Sequence, residues 1–328
     1  MGLLALLAAA LALAVGVHSL TRARATAISG VVRTASGPAA GAVVRVQSGD
    51  YFTVADAGGR FEIAVVEPLL RPDAPLYLTA WFPEHIIGWA EAAPGATDVV
   101  IELTAHYTTD NPAYDWFSHE GDAGSLSCSH CMSCYDEWQA DAHSQSAVNP
   151  RFLSLYNGTN LAGTPGAPTE YRFDPEIGVS VPVAPSQGQG GVGPGFRLDY
   201  PDLGGNCAAC HVPGAAARLG GAYHVDLNAV TGIDREGVFC EFCHKIGDVY
   251  VQPETGLPNP SLPGVLSLRL YRPEEGQQIF FANVDDVPRG RRVTYLPLFQ
   301  ESQFCAACHF GAFWDTVAYN SFGEWLAS

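Results

Sequence analysis

The sequence predicts a chain of two domains, an N-terminal antiparallel β-sandwich followed by a loop-rich, mainly α domain. Residues 28–105 alternate β-branched runs with Gly, Pro and Asp, the pattern of antiparallel hairpins. All nine cysteines lie beyond residue 106. The chain also holds 35 glycines and 23 prolines among 328 residues, so much of the second domain is expected to be loop. Apolar residues make up 47% of the chain, which is enough for a packed core.

The charge of the chain argues against nucleic-acid binding. The formal net charge is −17, with 17 Lys and Arg against 34 Asp and Glu. Phosphate binding needs clustered Lys and Arg, so a nucleic-acid partner is not expected. An acidic surface instead favours solubility and attracts basic partners.

Residues 1–27 are typical of a signal peptide. Leu3 to Val17 is an unbroken apolar run of 15 residues, which is short for a membrane span, and Ala25-Thr26-Ala27 offers an A-x-A cleavage site. No Lys or Arg precedes the run, whereas Arg22 and Arg24 follow it. An uncleaved anchor with this charge distribution would leave the rest of the chain in the cytoplasm. We predict export to the periplasm or cell surface, with an N-terminal membrane anchor as the alternative.

Residues 28–105 are predicted to form the sandwich. Ala57-Gly58-Gly59 predicts a turn between "YFTVAD" and "RFEIAVV", and "PLYLTAWF" and "DVVIELTA" supply further strands. The succession G-x-V, G-P-A-A-G-A-x-V-x-V and A-D-x-G-G-R-F resembles the carboxypeptidase regulatory-like (transthyretin-like) domain. That resemblance implies a non-catalytic adhesion or spacer module. His85 and His106 are interpreted as ordinary surface or packing residues.

Residues 106–328 are predicted to form the second domain. Short helices are expected in "YDEWQADAHSQSAV" and "FWDTVAYNSFGEWLAS". Between them, residues 163–205 are rich in Gly and Pro. A loop of this length is unusual in a compact domain and is easier to explain if it wraps large rigid ligands.

A C-x-x-C-H motif occurs three times, at 207–211, 240–244 and 305–309. This is the attachment signal for c-type haem, because two thiols at this spacing can each form a thioether to a haem vinyl group. The histidine after the second cysteine then supplies an axial nitrogen to the iron. Structural zinc and redox-active disulfides are the alternatives. A zinc ribbon does not need His after every pair, and a thioredoxin-like motif would occur once, so three repeats favour haem.

The second axial ligand of each iron must come from elsewhere in the chain. Candidates are His143 in "EWQADAH", His224 between two of the motifs, and His119. A lone loop histidine is otherwise expected to be exposed to solvent.

Several stretches resemble the cytochrome c-552/c-554 type of multihaem cytochrome. These are "CxxC…YDEWQADAHSQSAVNPRF", "REGVFCEFCHKI" and "CAACHFGAFWDTVAYNSFGEW", within residues 115–328. The resemblance implies electron transfer through closely packed haems. It also implies His143 as a distal ligand. The thioether residues that it implies are Cys207, Cys210, Cys240, Cys243, Cys305 and Cys308, and the proximal ligands are His211, His244 and His309.

The stretch "CSHCMSCYDEW" lies where that family would place another C-x-x-C-H motif, but its histidine is absent. One interpretation is a fourth haem c bound through Cys128 and Cys131. Its fifth iron ligand would then be non-standard, either Met132 or His130.

Three other interpretations of this stretch stay open. A haem attached through Cys131 and Cys134 would have Tyr135 in place of histidine. An iron–sulfur site would lack its fourth cysteine, since that position is Trp138. A degenerate site would hold a disulfide or a free thiol.

The chain contains an internal echo of the pattern aromatic-x-E-W, at Tyr135–Trp138 and Phe322–Trp325. In the first copy His143 falls five residues after the Trp. The corresponding position of the second copy would lie beyond Ser328. The pattern therefore predicts a chain that stops partway through a unit.

Together these observations predict an exported multihaem c-type cytochrome that carries electrons between redox partner proteins, with three haem c groups and a fourth under the first interpretation of Cys128 and Cys131. No catalytic residue is predicted. One alternative is a multihaem oxidoreductase that acts on small nitrogen or sulfur compounds at an iron with an open axial position. Another is a self-assembling surface or filament cytochrome.

Overall fold

The computed structural model divides the chain into two units. It describes residues 25–66, 74–116, 124–129, 134–183, 195–218, 224–313 and 316–328. The first unit comprises Met1–Tyr107 together with Ala282–Leu296, and the second comprises Thr108–Phe281 together with Pro297–Ser328.

The first unit is built on two four-stranded sheets. Its strands are β1 (Ala25–Thr34), β2 (Gly37–Pro38), β3 (Val43–Val46), β4 (Phe52–Val54), β5 (Arg60–Val66), β6 (Leu76–Trp81), β7 (His85–Ile86), β8 (Gly88–Ala92), β9 (Val99–Glu102) and β10 (Thr104–Ala105). One sheet has the order β2-β1-β5 with β9 beside β1, and the other has the order β4-β3-β6-β8. Alternate residues of the strands share one apolar core, in which Ile28, Val44 and Leu78 are fully buried.

The strand pairs within these two sheets are antiparallel, with one exception. Strands β1 and β9 run parallel, and Gly30 lies opposite Val99. A Cβ on Gly30 would come within 2.0 Å of the Val99 carbonyl oxygen, so this close approach requires glycine. The predicted all-antiparallel arrangement therefore fails at this pair.

The predicted turn between β4 and β5 is present and has a clear physical basis. One Asp56 carboxylate oxygen accepts hydrogen bonds from the backbone N–H groups of Gly58 (2.8 Å) and Arg60 (2.9 Å). Gly59 has φ of +71°, in the left-handed region that favours glycine. The aspartate fixes the turn and the glycine lets the chain reverse.

The predicted cleavage site lies within the first strand. Ala25, Thr26 and Ala27 pair with Val66, Val65 and Ala64 of β5. Cleavage after Ala27 would therefore shorten β1 and leave Ile28 as its first residue. The apolar run from Leu3 lies outside the described residues, and none of the helices in the described ranges is long and apolar enough to cross a membrane.

The second unit is not mainly α, so that prediction is wrong. Its α-helices contain only four to eight residues: α1 (Cys134–Ala140), α2 (Pro150–Asn157), α3 (Phe196–Asp199), α4 (Ala208–His211), α5 (Pro213–Arg218), α6 (Cys240–Cys243), α7 (Gln303–Ala306) and α8 (Ser321–Leu326). Dense glycine and proline keep these helices short. Short 3-10 helices occupy Gly124–Cys128, His143–Gln145, Leu227–Ala229, Gly232–Glu236, Gly264–Ser267 and Pro297–Gln300.

The rest of the regular structure among the described residues from 108 onward is β. The strands are β11 (Tyr171–Asp174), β12 (Val179–Pro182), β13 (Ile246–Val249), β14 (Leu268–Leu270), β15 (Phe280–Ala282), β16 (Val293–Tyr295), β17 (Gly311–Phe313) and β18 (Thr316–Tyr319). They pair successively into two-stranded sheets. Two of these pairs follow haem motifs directly, because β-branched and aromatic residues come after His244 and His309 and favour strands over helices.

The Gly/Pro-rich stretch from 163 to 205 is not a structureless loop within its described part. Strands β11 and β12 form an antiparallel hairpin in which Tyr171 lies opposite Pro182. Its "YRFD" and "VSVP" segments alternate in polarity around a turn that includes Gly178, with φ of +71°. That signal was available in the sequence, and the surrounding glycines and prolines obscured it.

Residues 282–296 leave the second unit and belong to the sandwich unit. Within that unit, Asp286 accepts a hydrogen bond from the hydroxyl of buried Thr79 at 2.8 Å. Asp285 pairs with Arg45 at 2.8 Å, and the Trp81 indole donates to the Tyr295 carbonyl at 3.0 Å. A segment between the second and third haem motifs is therefore part of the sandwich.

Candidate functional site

Each of the three C-x-x-C-H motifs forms one turn of helix. In every copy the backbone N–H of the histidine donates to the carbonyl of the first cysteine: His211 to Cys207 at 3.1 Å, His244 to Cys240 at 3.2 Å and His309 to Cys305 at 3.1 Å. Residues four apart lie on the same face of a helix. The C-x-x-C-H spacing thus brings the histidine and the first thiol of each motif to one face.

The first and third motifs adjoin through their cysteines. Cys210 is hydrogen-bonded to Cys308, and the Tyr319 hydroxyl lies 3.9 Å from the Cys210 sulfur. The bond to Cys210 and burial raise the pKa of the Cys308 thiol. Tyr319, on β18, therefore lies beside the cysteines of the first and third motifs, and the sequence did not indicate it as a site residue.

The second motif adjoins the third. The pKa of Cys243 is raised to about 12 by burial and by the nearby Cys240 and Cys305 thiols. Cys308 is also close enough to Cys243 for the two to interact electrostatically. The motif at 305–309 therefore lies between the other two, although it comes last in the sequence.

Cys128 extends the cysteine cluster at its other end. It is hydrogen-bonded to Cys240, and this bond is the main reason that the pKa of Cys240 is lowered to about 7. Cys128 ends the 3-10 helix Gly124–Cys128, whose Ser125 N–H donates to the Glu236 carboxylate at 2.9 Å. The remnant motif thus lies beside the second complete motif.

Cys128 and the cysteines of the three complete motifs thus follow one another in one spatial order. Cys128 is followed by the motif at 240–244, then the motif at 305–309 and then the motif at 207–211. This order differs from the order in the sequence.

Two of the motif histidines are oriented by backbone carbonyls. The Nδ1 atom of His211 lies 3.0 Å from the Ser146 oxygen, and Nδ1 of His244 lies 2.6 Å from the Phe281 oxygen. Burial lowers the pKa of both imidazoles, so they are neutral at pH 7 and Nδ1 carries the proton. The lone pair of each ring is then on Nε2, as metal ligation requires.

His143 lies beside the third motif. Its ring centroid is 6.2 Å from that of His309, and the two rings are 76° apart in plane. Its Nδ1 atom lies 2.5 Å from an Asp141 carboxylate oxygen, which orients the ring. Hydrogen bonds from the His143 backbone and side chain lower the pKa of Asp141, so the carboxylate is ionised at neutral pH.

The segment that carries His143 is held by hydrogen bonds to His211 of the first motif and to Val238, two residues before the second motif. The Trp138 indole donates to the Val238 carbonyl at 2.9 Å, and the Val238 N–H donates to the His143 carbonyl at 3.1 Å. Ser146 donates through its hydroxyl to the His211 carbonyl at 2.9 Å. The sequence therefore folds "YDEWQADAHSQS" against the first and second motifs while presenting His143 to the third.

Phe152 stacks on His211 and was not predicted as a site residue. The ring centroids are 3.5 Å apart and the planes differ by 1°. Asn149 places Phe152 by capping α2, since its side chain accepts from the Arg151 and Phe152 N–H groups. Pro150 at the first helical position completes this start signal. The cap was readable as N-P, but nothing in the sequence indicated the stacking partner.

A buried polar cluster lies beside the second motif and was also missed. Glu241 and Lys245 are both fully buried. Tyr114 donates to the Glu241 carboxylate through its hydroxyl. The Lys245 ammonium donates to the Ile279 carbonyl at 2.5 Å and lies 3.7 Å from Glu241. Burial lowers the pKa of Lys245 to about 8, with Glu241 opposing the shift.

Of the remaining predicted site residues, His224 and Cys134 lie within the described part of the chain. His224 is exposed, and the ring contacts of the motif histidines among the described residues do not include it. Cys131, Met132, His130 and His119 lie outside the described residues. Cys134 is exposed at the start of α1. In the described part of the chain, no group of three or more His, Cys, Asp or Glu side chains is arranged to hold a bare metal ion.

The donor set fits covalent haem. Each complete motif presents a histidine and its first thiol on one helical turn, and two imidazoles are neutral with the Nδ1 proton bound to a carbonyl. These are the groups that haem c requires, a pair of thiols for the vinyl groups and a free imidazole nitrogen for the iron.

Comparisons with known proteins find similarity to solved structures alone. No family model and no curated protein matches the chain. One similar structure is a C-terminal interface mutant of a type II cohesin–X-dockerin complex from Acetivibrio cellulolyticus, with 16% identity and a TM-score of 0.18. The match covers 24% of this chain and about half (52%) of that chain.

Proposed function

We propose that this protein is an exported multihaem c-type cytochrome that carries electrons between redox partner proteins. Haem c would be attached at Cys207 and Cys210, at Cys240 and Cys243, and at Cys305 and Cys308. A fourth haem at Cys128 and Cys131 is one of the four interpretations of that stretch. The observation that carries the proposal is the contiguous order of the motif cysteines. Groups anchored on adjoining thiols lie close together, and close packing is what electron transfer between haems needs.

The chain's own residues have three tasks in this mechanism. Haem iron supplies the chemistry by cycling between two oxidation states. The cysteine pairs hold each group in place. The carbonyls of Ser146 and Phe281 keep the protons of His211 and His244 on Nδ1. The buried aromatic core, including Trp116 and Phe242, excludes water. Such fixed surroundings reduce the reorganisation that accompanies each change of charge.

His143 and His309 would together hold one haem iron. Their ring centroids are 6.2 Å apart, so the two imidazoles lie side by side. Asp141 would orient His143 as carboxylates commonly orient metal-bound histidines. This pair supports electron carriage, because an iron with two imidazole ligands has no position for substrate.

The first test is the number of haems. Pyridine haemochrome and intact mass of the purified protein are expected to give at least three covalent haems per chain. A mass without added haem would overturn the proposal. Intact mass also decides the fourth site, because a fourth haem adds one further increment.

The second test separates electron carriage from catalysis. Paramagnetic resonance of the oxidised protein is expected to show mainly low-spin ferric iron. A dominant high-spin signal that responds to nitrite or hydroxylamine would instead favour the alternative, an oxidoreductase of small nitrogen or sulfur compounds.

N-terminal sequencing of the mature protein is expected to begin near Ile28, as export requires, whereas a retained Met1 in the membrane fraction would show an anchor.

A further inference from the structure

A buried charge pair lies directly beside one haem motif. Glu241 is the second residue of that motif and Lys245 follows its histidine. Both side chains are 0% exposed. Burying a charge costs several kcal/mol unless the charge is paired and hydrogen-bonded, so such residues are rare in cores.

The surroundings compensate both charges. The Glu241 carboxylate accepts from the Tyr114 hydroxyl and from Gln278 Nε2, the latter at 3.1 Å. The Lys245 ammonium donates to the Ile279 carbonyl and lies 4.1 Å from the Phe280 ring centroid. The Glu241 carboxylate and the Lys245 ammonium are therefore two opposite charges fixed in place by neighbouring polar and aromatic groups.

Stability alone does not explain the pair. Replacing a buried ion pair with apolar residues of similar volume is often neutral or stabilising. The other two motifs illustrate this, since they read C-A-A-C-H-V and C-A-A-C-H-F. There the positions of Glu241 and Lys245 are taken by Ala208 and Val212, and by Ala306 and Phe310, which are all buried. Apolar residues thus serve the same positions, and the second motif alone carries the two charges.

We propose that Glu241 and Lys245 set the reduction potential of the haem attached at Cys240 and Cys243, with Lys245 favouring the reduced iron and Glu241 the oxidised iron. This inference rests on the proposal that haem is attached there. Reduction adds one electron to the iron, delivered by a redox partner protein, and no covalent bond forms or breaks. Charges interact strongly where water is excluded, so fixed neighbours bias the two iron states.

The position of the second motif determines how a shifted reduction potential would affect electron transfer. In the cysteine order it lies between Cys128 and the motif at 305–309. A haem whose potential differs from those of its neighbours would control how readily electrons pass along the row. The second motif thus differs from the other two at Glu241, Phe242 and Lys245, and two of these three residues are charged.

The experiment is a spectroelectrochemical redox titration of the full-length holoprotein. Lys245→Met removes the positive charge, and one component of the titration is expected to shift to lower potential. Glu241→Gln removes the negative charge, and the same component is expected to shift to higher potential. The double variant is expected to return toward the native value. Arg269→Met is the matched control, because it removes a positive charge from the exposed face of the neighbouring strand β14 and should leave the titration unchanged.

Opposite shifts of one component would support the inference. Unchanged potentials, or shifts of both single variants in the same direction, would overturn it provided that haem content is native. If the single charge variants fail to fold, Tyr114→Phe keeps both charges and removes one donor to Glu241. It is expected to lower the same component, and an unmoved component would overturn the inference. Absence of haem from Cys240 and Cys243 in the native protein, read by peptide mass, would overturn the haem proposal itself.

Discussion

At the scale of single residues, His143 makes the sharpest prediction. Its ring centroid lies 6.2 Å from that of His309, and under the proposed function these two histidines would hold one iron. His143→Gln is expected to leave haem attachment intact and to open one axial position. A new high-spin ferric signal and binding of cyanide by one haem per chain should appear.

His224→Gln is the control for that variant. His224 is exposed, and within the described residues it makes no ring contact with a motif histidine. Its replacement should leave the spectrum native. If instead only His224→Gln opens a haem, then His224 is a distal ligand and the pairing of His143 with His309 is wrong.

Which residues of the site could be predicted depends on how far apart they lie in the sequence. The geometry within each motif follows from its spacing, because a four-residue step is one helical turn. The stacking of Phe152 on His211 and the hydrogen bond from Tyr114 to Glu241 join residues 59 and 127 positions apart, and only the tertiary fold brings them together. Glu241 shows the difficulty well, since a charged residue is ordinarily expected at the surface.

At the scale of elements, adjacent glycines in the β4–β5 turn offer a matched pair. Gly59 has φ of +71°, and a Cβ there would lie 2.5 Å from the Val32 carbonyl oxygen. Gly59→Ala is expected to lower the free energy of unfolding by about 1–3 kcal/mol. At Gly58 the corresponding contact is 3.3 Å, to the Asp56 side chain, so Gly58→Ala should cost less.

Denaturant unfolding followed by tryptophan fluorescence measures both variants. Trp81 and Trp89 lie on strands of this unit and report on its unfolding. Equal destabilisation by the two substitutions would show that the left-handed backbone at Gly59 is not what makes this turn demanding.

The elements of the two units were predicted with unequal success. In the sandwich, each strand contributes alternate residues to a single core. The alternation of apolar and polar residues in the sequence therefore predicts these strands directly. In the second unit, strands of three or four residues pair only with their neighbours, and such short segments give little periodicity. The motif helices are similarly brief, and because they do not extend into longer helices the prediction of a mainly α domain is wrong.

At the scale of the whole molecule, removing the N-terminal strands tests whether the second unit folds and binds haem without the partners of residues 282–296. A chain starting at Asn111 keeps all three complete motifs, and haem attachment is expected to persist. It loses Thr79, Arg45 and Trp81, which contact the returning segment within the sandwich unit. Limited proteolysis of the truncated chain should therefore produce a new cut between 282 and 296.

A second truncation serves as the control. Replacing residues 283–292 of the shortened chain with a two-residue turn should remove the cut while retaining haem. Loss of haem from the first truncation, measured by pyridine haemochrome, would contradict the expectation and show that the haem region requires the sandwich.

The net charge supplies a further prediction at this scale. With a formal charge of −17, the protein should exchange electrons fastest with basic partners at low salt. Raising ionic strength from 0.01 to 0.15 M shortens the Debye length from about 30 to about 8 Å, so the stopped-flow rate with a basic electron donor should fall. A rate with an acidic donor should rise under the same change. Salt-independent rates would show that charge does not guide these encounters.

The return of residues 282–296 to the sandwich also dictates an order of biogenesis. The N-terminal strands emerge first during synthesis, yet the unit that they form includes residues 282–296, which follow most of the second unit in the sequence. By the time that segment appears, the motifs at 207–211 and 240–244 have already been made. Under the proposed function, two haem-attachment sites would therefore be available before the first unit is complete, and maturation of the two units would overlap in time.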